Sequence, residues 1–381
     1  MNAPLSGIRI IEVGHMLAGP YCGLMLADLG AEVIKVEPPE GDIARTVSPH
    51  YIGKHNAYFA SLNRNKKSLV VDLASEKGQA LFGRLAGSAH ALVTNLRPGA
   101  VKKLGLTYQA LQQWNPKLVC VAITGFGLDG PYADRPAYDY VIQAMTGVMW
   151  LTGDPGSPPT KAGYSAVDNS AGLVAALGLL AKIVQGQGGQ VDVAMYDVML
   201  SQLNYLAGAV LNAGEELERL ANSSHPYIVP AQIFPTADGW LTLFITHDQF
   251  WKKFCAEIGR PDWITADGFA TMAMRRQNRT AVVAAIELEL RKGSAKSWMD
   301  RLAPLGVVVA EIGSLKDALL SDLARQREMV VDIGSGKLAL RAVGSPIKFS
   351  DSTTAYREPP LLDQHREQIH AELINDCEAT P

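Results

Sequence analysis

Short apolar runs recur through the first third of the chain, each followed by a longer stretch with helical spacing. Ile8–Val13 predicts a strand ended by Gly14. Gly19–Leu29 predicts a helix, with Pro20 early, where a missing N–H costs nothing, and Gly30 as its stop. Glu32–Glu37 alternates with period two and ends at Pro38-Pro39. Ser68–Leu73, Ala91–Asn95 and Leu118–Ile123 predict three further strands, with a helix over about Glu76–Ala86. Strand, helix, strand in repetition implies an α/β fold with a largely parallel sheet and helices on both faces. Ligands of such sheets bind beyond the carboxyl ends of the strands. The loops of interest are therefore Gly14–Leu17, Pro38-Pro39, Asn95–Arg97 and Thr124–Gly127.

The pattern then changes. Tyr138–Gly153 and Val167–Val184 are apolar and helix-like, and Val191–Leu206 reads as a strand running into a helix. Ala231–Ile245 predicts two strands around the Ala237-Asp238-Gly239 turn. Helices follow over about Gln249–Ile258, Asn278–Leu290 and Ala295–Leu305, and the tail beyond Leu338 reads as strand and loop. The predicted division is a large domain over 1–205, a linker over 206–224, a small α+β domain over 225–325, and a return to the large domain over 326–381.

Composition narrows the function. Of 381 residues, 48% are apolar and 19% charged, enough for well-formed cores. The 35 basic and 38 acidic residues argue against nucleic acid or an anionic membrane as the main partner. The apolar stretch Ala171–Val184 contains Lys182 and is too short to span a bilayer, so it predicts a buried helix. Cys22, Cys120, Cys255 and Cys377 are widely separated, which predicts no zinc site, no disulfide framework and a reducing, cytoplasmic home. The N-terminus shows no basic stretch followed by an apolar run, so no signal peptide is expected.

The chain has no G-x-G-x-x-G after its first strand, no Walker loop, no G-x-S-x-G elbow and no H-E-x-x-H. A dinucleotide-dependent dehydrogenase and a metal centre therefore have little support. One carboxylate stands out. Asp168 precedes an apolar helix expected to start near Ser170. Position alone favours an N-cap. The alternative is a carboxylate kept ionised at a positive helix end and able to attack a carbonyl carbon. Twelve basic against eight acidic residues in the first 110, among them Lys35, Arg45, Lys54, Arg64, Lys66, Lys67, Arg97, Lys102 and Lys103, suit a phosphorylated ligand.

Together these segments resemble the class III CoA-transferase family, also called CaiB/BaiF, which includes formyl-CoA and carnitine CoA-transferases and α-methylacyl-CoA racemases. The carrying stretches are Gly14–Pro20, Leu26–Glu37, Asn63–Ser68, Asn95–Ala100, Gly125–Gly127 with Gly130–Tyr132, Tyr138-Asp139, and Asp168–Val184 with Gly188–Gln190. The resemblance implies a Rossmann-like large domain, a ring-shaped chain and an interlocked homodimer. It assigns Asp168 as the nucleophile, passing through aspartyl anhydride and aspartyl-CoA thioester intermediates. It implies CoA contacts at Met16, Ala18, Val71, Asn95, Leu96, Arg97 and Lys103, and a substrate site around His15, Leu17, Gly125, Gly127, Tyr138 and Asp139. No resident cofactor or metal is implied; acyl-CoA and a small carboxylic acid are the partners. Racemases carry a histidine where this chain has Tyr138, which favours the transferase over an acyl-CoA racemase. Formyl-CoA transferase carries a glutamine, an arginine and a lysine where this chain has Leu17, Pro38 and Pro136. A larger acid, such as a dicarboxylate, a branched acid or an aromatic acid, is therefore expected in place of formate. Intramolecular transfer within one dicarboxylate stays open.

Overall fold

Six parallel strands build the principal sheet: β1 (Arg9–Val13), β2 (Glu32–Glu37), β3 (Lys67–Val70), β4 (Ala91–Thr94), β5 (Val119–Thr124) and β6 (Gly189–Ala194). The computed structural model describes residues 3–334 and 339–378, with only the backbone of 375–378. The order across the sheet is β3-β2-β1-β4-β5-β6. Strand order therefore reverses between β1 and β4, which opens a crevice at their carboxyl ends. The third strand is shorter than expected and starts one residue earlier, at Lys67, with a last bond from Val71 N–H to the Glu37 carbonyl.

Successive side chains of a strand face opposite sides. Ile11, Val13, Ile34, Val36, Leu92 and Cys120 enter one core with Phe82 and Leu85 of the Glu76–Gly87 helix. The other face carries Ile10, Val33, Glu12 and Lys35, all fully buried. It is covered by the helices Ala18–Asp28 and Ala166–Gln185. Where these two helices meet, a Cβ on Gly172 would come within 2.8 Å of the Ala18 carbonyl oxygen. Gly172→Ala is expected to cost about 1–3 kcal/mol, read as a lower urea midpoint with an unchanged slope.

The Ala166–Gln185 helix is longer than the predicted apolar run and less buried. Ala171, Ala175 and Leu179 face inward, whereas Leu177 is 69% and Val184 87% exposed. The helix has the length and apolarity of a membrane span, with a third of its most apolar window buried. The tail also departs from expectation. Leu338 lies outside the described residues; past it comes a strand, Leu340–Val343, paired with Val330–Ile333. The expected loop then gives way to a helix, Arg366–Glu378. Its Ile369 and Leu373, four apart on one helical face, join the core beneath the sheet.

That tail seals the free edge of β3. Ser68 N–H donates to His365 Nδ1 and its carbonyl accepts from His365 N–H. Val70 N–H donates to Asp363 Oδ1 at 2.8 Å, and its carbonyl accepts from the Arg366 guanidinium. Every outward backbone group at these two positions is paired, which removes an edge that could pair with another chain.

By contacts the chain forms two units: residues 1–146, 162–213 and 322–381, and residues 147–161 with 214–321. The inclusion of 147–161 in the second has no counterpart in the sequence division. The second unit contains an antiparallel sheet of β7 (Ala231–Pro235), β8 (Trp240–Phe244) and β9 (Val308–Glu311). Its core gathers Phe234, Leu243, Trp251, Phe254, Ile286 and Trp298.

Candidate active site

The crevice at the ends of β1 and β4 holds a cavity of about 150 Å³. His15, Met16, Leu17, Ala18, Asn95, Leu96, Arg97, Gly125, Tyr138 and Asp168 line it, joined by Tyr58, Arg135 and Met195. Residues spread over 180 positions thus meet where the strand order reverses.

Asn95 ties the two loops together. Its Oδ1 accepts from His15 N–H at 3.0 Å, and its Nδ2 donates to the His15 carbonyl at 2.9 Å. Gly14 and Gly19 leave room for that carboxamide; a Cβ on either would come within 2.4 or 2.8 Å of Oδ1. Met16 adopts φ 61°, left-handed for an L-residue, a strain on the order of 1–3 kcal/mol that the surroundings must hold. The Ala18–Asp28 helix begins here with no side-chain cap at Leu17 and no acidic residue in its first turn. Its first N–H groups thus present partial positive charge at the cavity.

Asp168 is not the cap that position alone suggested. The helix starts at Ala166, so Asp168 sits within its first turn. The cap comes from 28 residues away: Asp139 Oδ2 accepts from Val167 N–H at 2.9 Å. Asp139 Oδ1 accepts from Gln143 Nε2, and Gln143 in turn accepts from Ala162 N–H. With that N–H taken, the Asp168 carboxylate has no hydrogen-bond partner among the described residues. The expectation of a carboxylate held ionised by free N–H groups is overturned. Burial, and then the charge of Asp139, push the Asp168 carboxyl up to about 6.

Two consequences are measurable. A reaction that needs the Asp168 carboxylate should lose about tenfold per pH unit below about 6. A carboxyl raised on folding binds its proton more tightly in the native state, so its charge costs stability as pH rises from about 4 to 6. Allowing for partial exposure, Asp168→Asn should be about 2 kcal/mol more stable than the parent at pH 7 and equal to it near pH 4. Denaturant titrations at both pH values check this.

His15 is pulled below the ordinary imidazole range by burial, with Lys35 and Arg97 adding to the effect and Asp42 opposing it. Gly127, at φ 95°, lies just outside the cavity and donates to Thr124 Oγ1. Asp139 lies beneath the site, buried. Val71 is buried in the main core and Lys103 is exposed; neither lines the cavity.

The anticipated basic surface for a phosphorylated ligand is mostly internal wiring. Lys35 and Lys66 are buried. Lys35 Nζ reaches Glu12 Oε1 and Asp42 Oδ2 at 2.9 Å each and donates to the Gly14 carbonyl at 3.0 Å. Lys66 Nζ reaches Glu12 Oε2 at 2.7 Å, the Pro20 carbonyl at 2.8 Å and Asn63 Oδ1 at 2.9 Å. Lys66 has three acceptors for its three protons, whereas Lys35 donates to two and faces Asp42 Oδ2 as an ion pair. Arg45 pairs with Glu37, Arg64 with Asp28, and Lys67 with Glu32. Of the basic side chains at the cavity, Arg97 and Arg135 have no carboxylate partner among the described residues. No group of three potential metal ligands occurs among the described residues.

The sequence model of CoA-transferase family III matches residues 5–366. The chain belongs to CoA-transferase family III. The resemblance carried by the sequence motifs is borne out, and relatives named as CoA-transferases over nearly its whole length make it a CoA-transferase, an enzyme working on CoA thioesters. Succinate–glutarate CoA-transferase of Agrobacterium fabrum is 35% identical, over 97% of this chain and 96% of that one. Acetyl-CoA:oxalate CoA-transferase of Acetobacter aceti is 34% identical, over 98% and 96%. The crystal structure of a CAIB/BAIF family protein from Brucella suis superposes with a TM-score of 0.86 at 34% identity, covering 98% of this chain and 100% of that one. In this family III chain, no local motif marks Tyr58, Arg135 and Met195, which reach the cavity from two distant helices and a loop.

Proposed function

We propose that this enzyme moves CoA between dicarboxylic acids, with Asp168 as the covalent carrier. The observation that carries the reading is the Asp168 carboxylate. It stands in the cavity without a hydrogen-bond partner among the described residues, beside an uncapped helix start. A carboxylate that no donor stabilises is a stronger nucleophile, and the nearby N–H groups suit the oxyanion that forms on attack.

Asp168 attacks the thioester carbonyl of the donor; the C–S bond breaks, CoA leaves as thiolate, and a mixed anhydride remains. The thiolate then attacks the aspartyl carbonyl and frees the donor acid, leaving an aspartyl-CoA thioester. An acceptor carboxylate attacks that thioester, releasing thiolate and forming a second anhydride. Thiolate attack on the acceptor acyl carbonyl yields the new acyl-CoA and restores Asp168. Covalent storage conserves the thioester energy throughout.

Arg97 and Arg135 supply charge for the CoA phosphates and for the second carboxylate of a dicarboxylic acid. Relatives named for succinate, glutarate and oxalate support that substrate class. The proposal includes a homodimer of two interlocked, ring-shaped copies. The exposed apolar face of the Ala166–Gln185 helix, with Leu173, Leu177 and Val184 at helical spacing, supports a covering partner. It also includes a cytoplasmic location, which the buried free thiols of Cys22, Cys120 and Cys255 support; the Cys377 side chain lies outside the described residues.

The test is to incubate the enzyme with succinyl-CoA and isotope-labelled glutarate, oxalate or mesaconate and to weigh the CoA thioesters formed. A labelled thioester made at the expense of succinyl-CoA supports the reading. Solvent deuterium entering an acyl-CoA at Cα, with no labelled thioester from any acid, would overturn it.

A further inference from the structure

Asp42 does three jobs from one buried carboxylate. Its Oδ1 accepts from Met16 N–H at 3.2 Å and from Ala44 N–H at 2.9 Å. Its Oδ2 pairs with Lys35 Nζ at 2.9 Å. The same ammonium donates to the Gly14 carbonyl, so the Gly14–Met16 turn is gripped at both ends by one ion pair. Asn95 holds His15 from the opposite side. Met16, between these anchors, is the residue kept in the left-handed region. Asp42 does not line the cavity. Its 3% exposure leaves it no direct access to a substrate.

We propose that Asp42 is a positioning residue for CoA transfer: through the Met16 amide it fixes the Gly14–Ala18 turn against the reacting thioester. The inference rests on the reading of the Asp168 cavity as the site of transfer. A purely structural role, as the cap of the Ile43–Arg45 turn, is the competing account.

The two accounts separate in two variants. Asp42→Asn keeps an oxygen for Met16 and Ala44 but turns a neutral amide toward Lys35, so it loses stability and keeps the turn. Asp42→Ala loses both. The expected result for folded Asp42→Ala is a kcat lower by about 30- to 100-fold, with the KM for acyl-CoA within about threefold. Hydrogen exchange in peptides covering residues 14–20 should rise by about tenfold, with that of the β1 and β4 core unchanged. Asp42→Asn should keep kcat within about threefold and keep parental exchange in the turn, despite a lower thermal midpoint.

A folded Asp42→Ala protein with parental kcat overturns the proposal, as does an Asp42→Asn protein that loses as much kcat as the alanine variant. If Asp42→Ala does not fold, Asp42→Asn decides alone. Parental exchange in the turn at a lower midpoint supports the positioning role, and exchange rising there in step with the core overturns it. Should the parent enzyme move no CoA, the transfer reading fails, while exchange in the turn still decides what Asp42 holds.

Discussion

Asp168→Ala should lose at least about 10⁴-fold in CoA transfer while keeping its fold and its binding of CoA thioesters. The size follows from the kind of step removed. A missing nucleophile closes the covalent route, and what binding and the surrounding dipoles contribute cannot replace it. The decisive readout is mass. Parent enzyme mixed with a donor acyl-CoA should carry a CoA adduct that hydroxylamine destroys, and Asp168→Ala should carry none. The adduct should also form less readily below about pH 6, because the carboxyl raised by burial and Asp139 is then protonated. An adduct of the same mass on Asp168→Ala would move the chemistry to another residue.

The second large effect belongs to Glu12, which touches no substrate. Its two oxygens serve the buried ammoniums of Lys35 and Lys66. Burial raises its carboxyl, and the two cations outweigh that and hold it below the ordinary range. Glu12→Gln should cost about 3–5 kcal/mol in a urea titration, because it strands charge without rehydrating it. The burden falls unevenly. Lys35 keeps Asp42 and stays above its ordinary range despite burial, whereas Lys66, already drawn down to about 8 by burial, has no second carboxylate in contact. A lysine depressed on folding stabilises the native state increasingly as pH rises past its folded value. In Glu12→Gln that rise should begin below pH 8, so the deficit shrinks between pH 7 and 9. Replacing Lys66 by methionine in the same chain should recover part of the loss. A deficit independent of pH would mean that the damage comes from packing alone.

The difference between Lys35 and Asp168 explains how much was legible in the sequence. The strand Glu32–Glu37 was visible because period-two alternation is a local property. Its Lys35 counted among the basic residues suited to a phosphorylated ligand, and there the sequence misled. Its partner Glu12 lies against the Ala18–Asp28 helix, where a Cβ on Gly23 would come within 2.0 Å of Glu12 Oε2. Only tertiary packing shows that this lysine is paired inside. Asp168 was visible as a carboxylate at the head of an apolar helix, and its motif context pointed to a nucleophile. Its electrostatics were hidden, because the group that caps the helix is Asp139, from a separate helix. The meeting of His15 and Asn95 could be anticipated once parallel strands were read, since ligands gather where strand order reverses. Tyr58, on the Ala57–Asn63 helix, and Arg135, on a loop, could not, because only tertiary packing brings them to the cavity. The Arg366–Glu378 helix was missed for a related reason: its apolar positions are few, and they count only against the underside of the sheet.

The tail that pairs with Ser68 and Val70 also bears on how the protein is made. All six strands of the principal sheet are in place by residue 194, yet the groups that close β3 come from residues 363–366. During synthesis at about 5–20 residues per second, a nascent chain would hold that strand open for many seconds while the second unit emerges. The ribosome thus releases a sheet with an unsealed edge. A chain truncated before Asp363 would keep that edge for life, and its first defect would be self-association before any loss of chemistry.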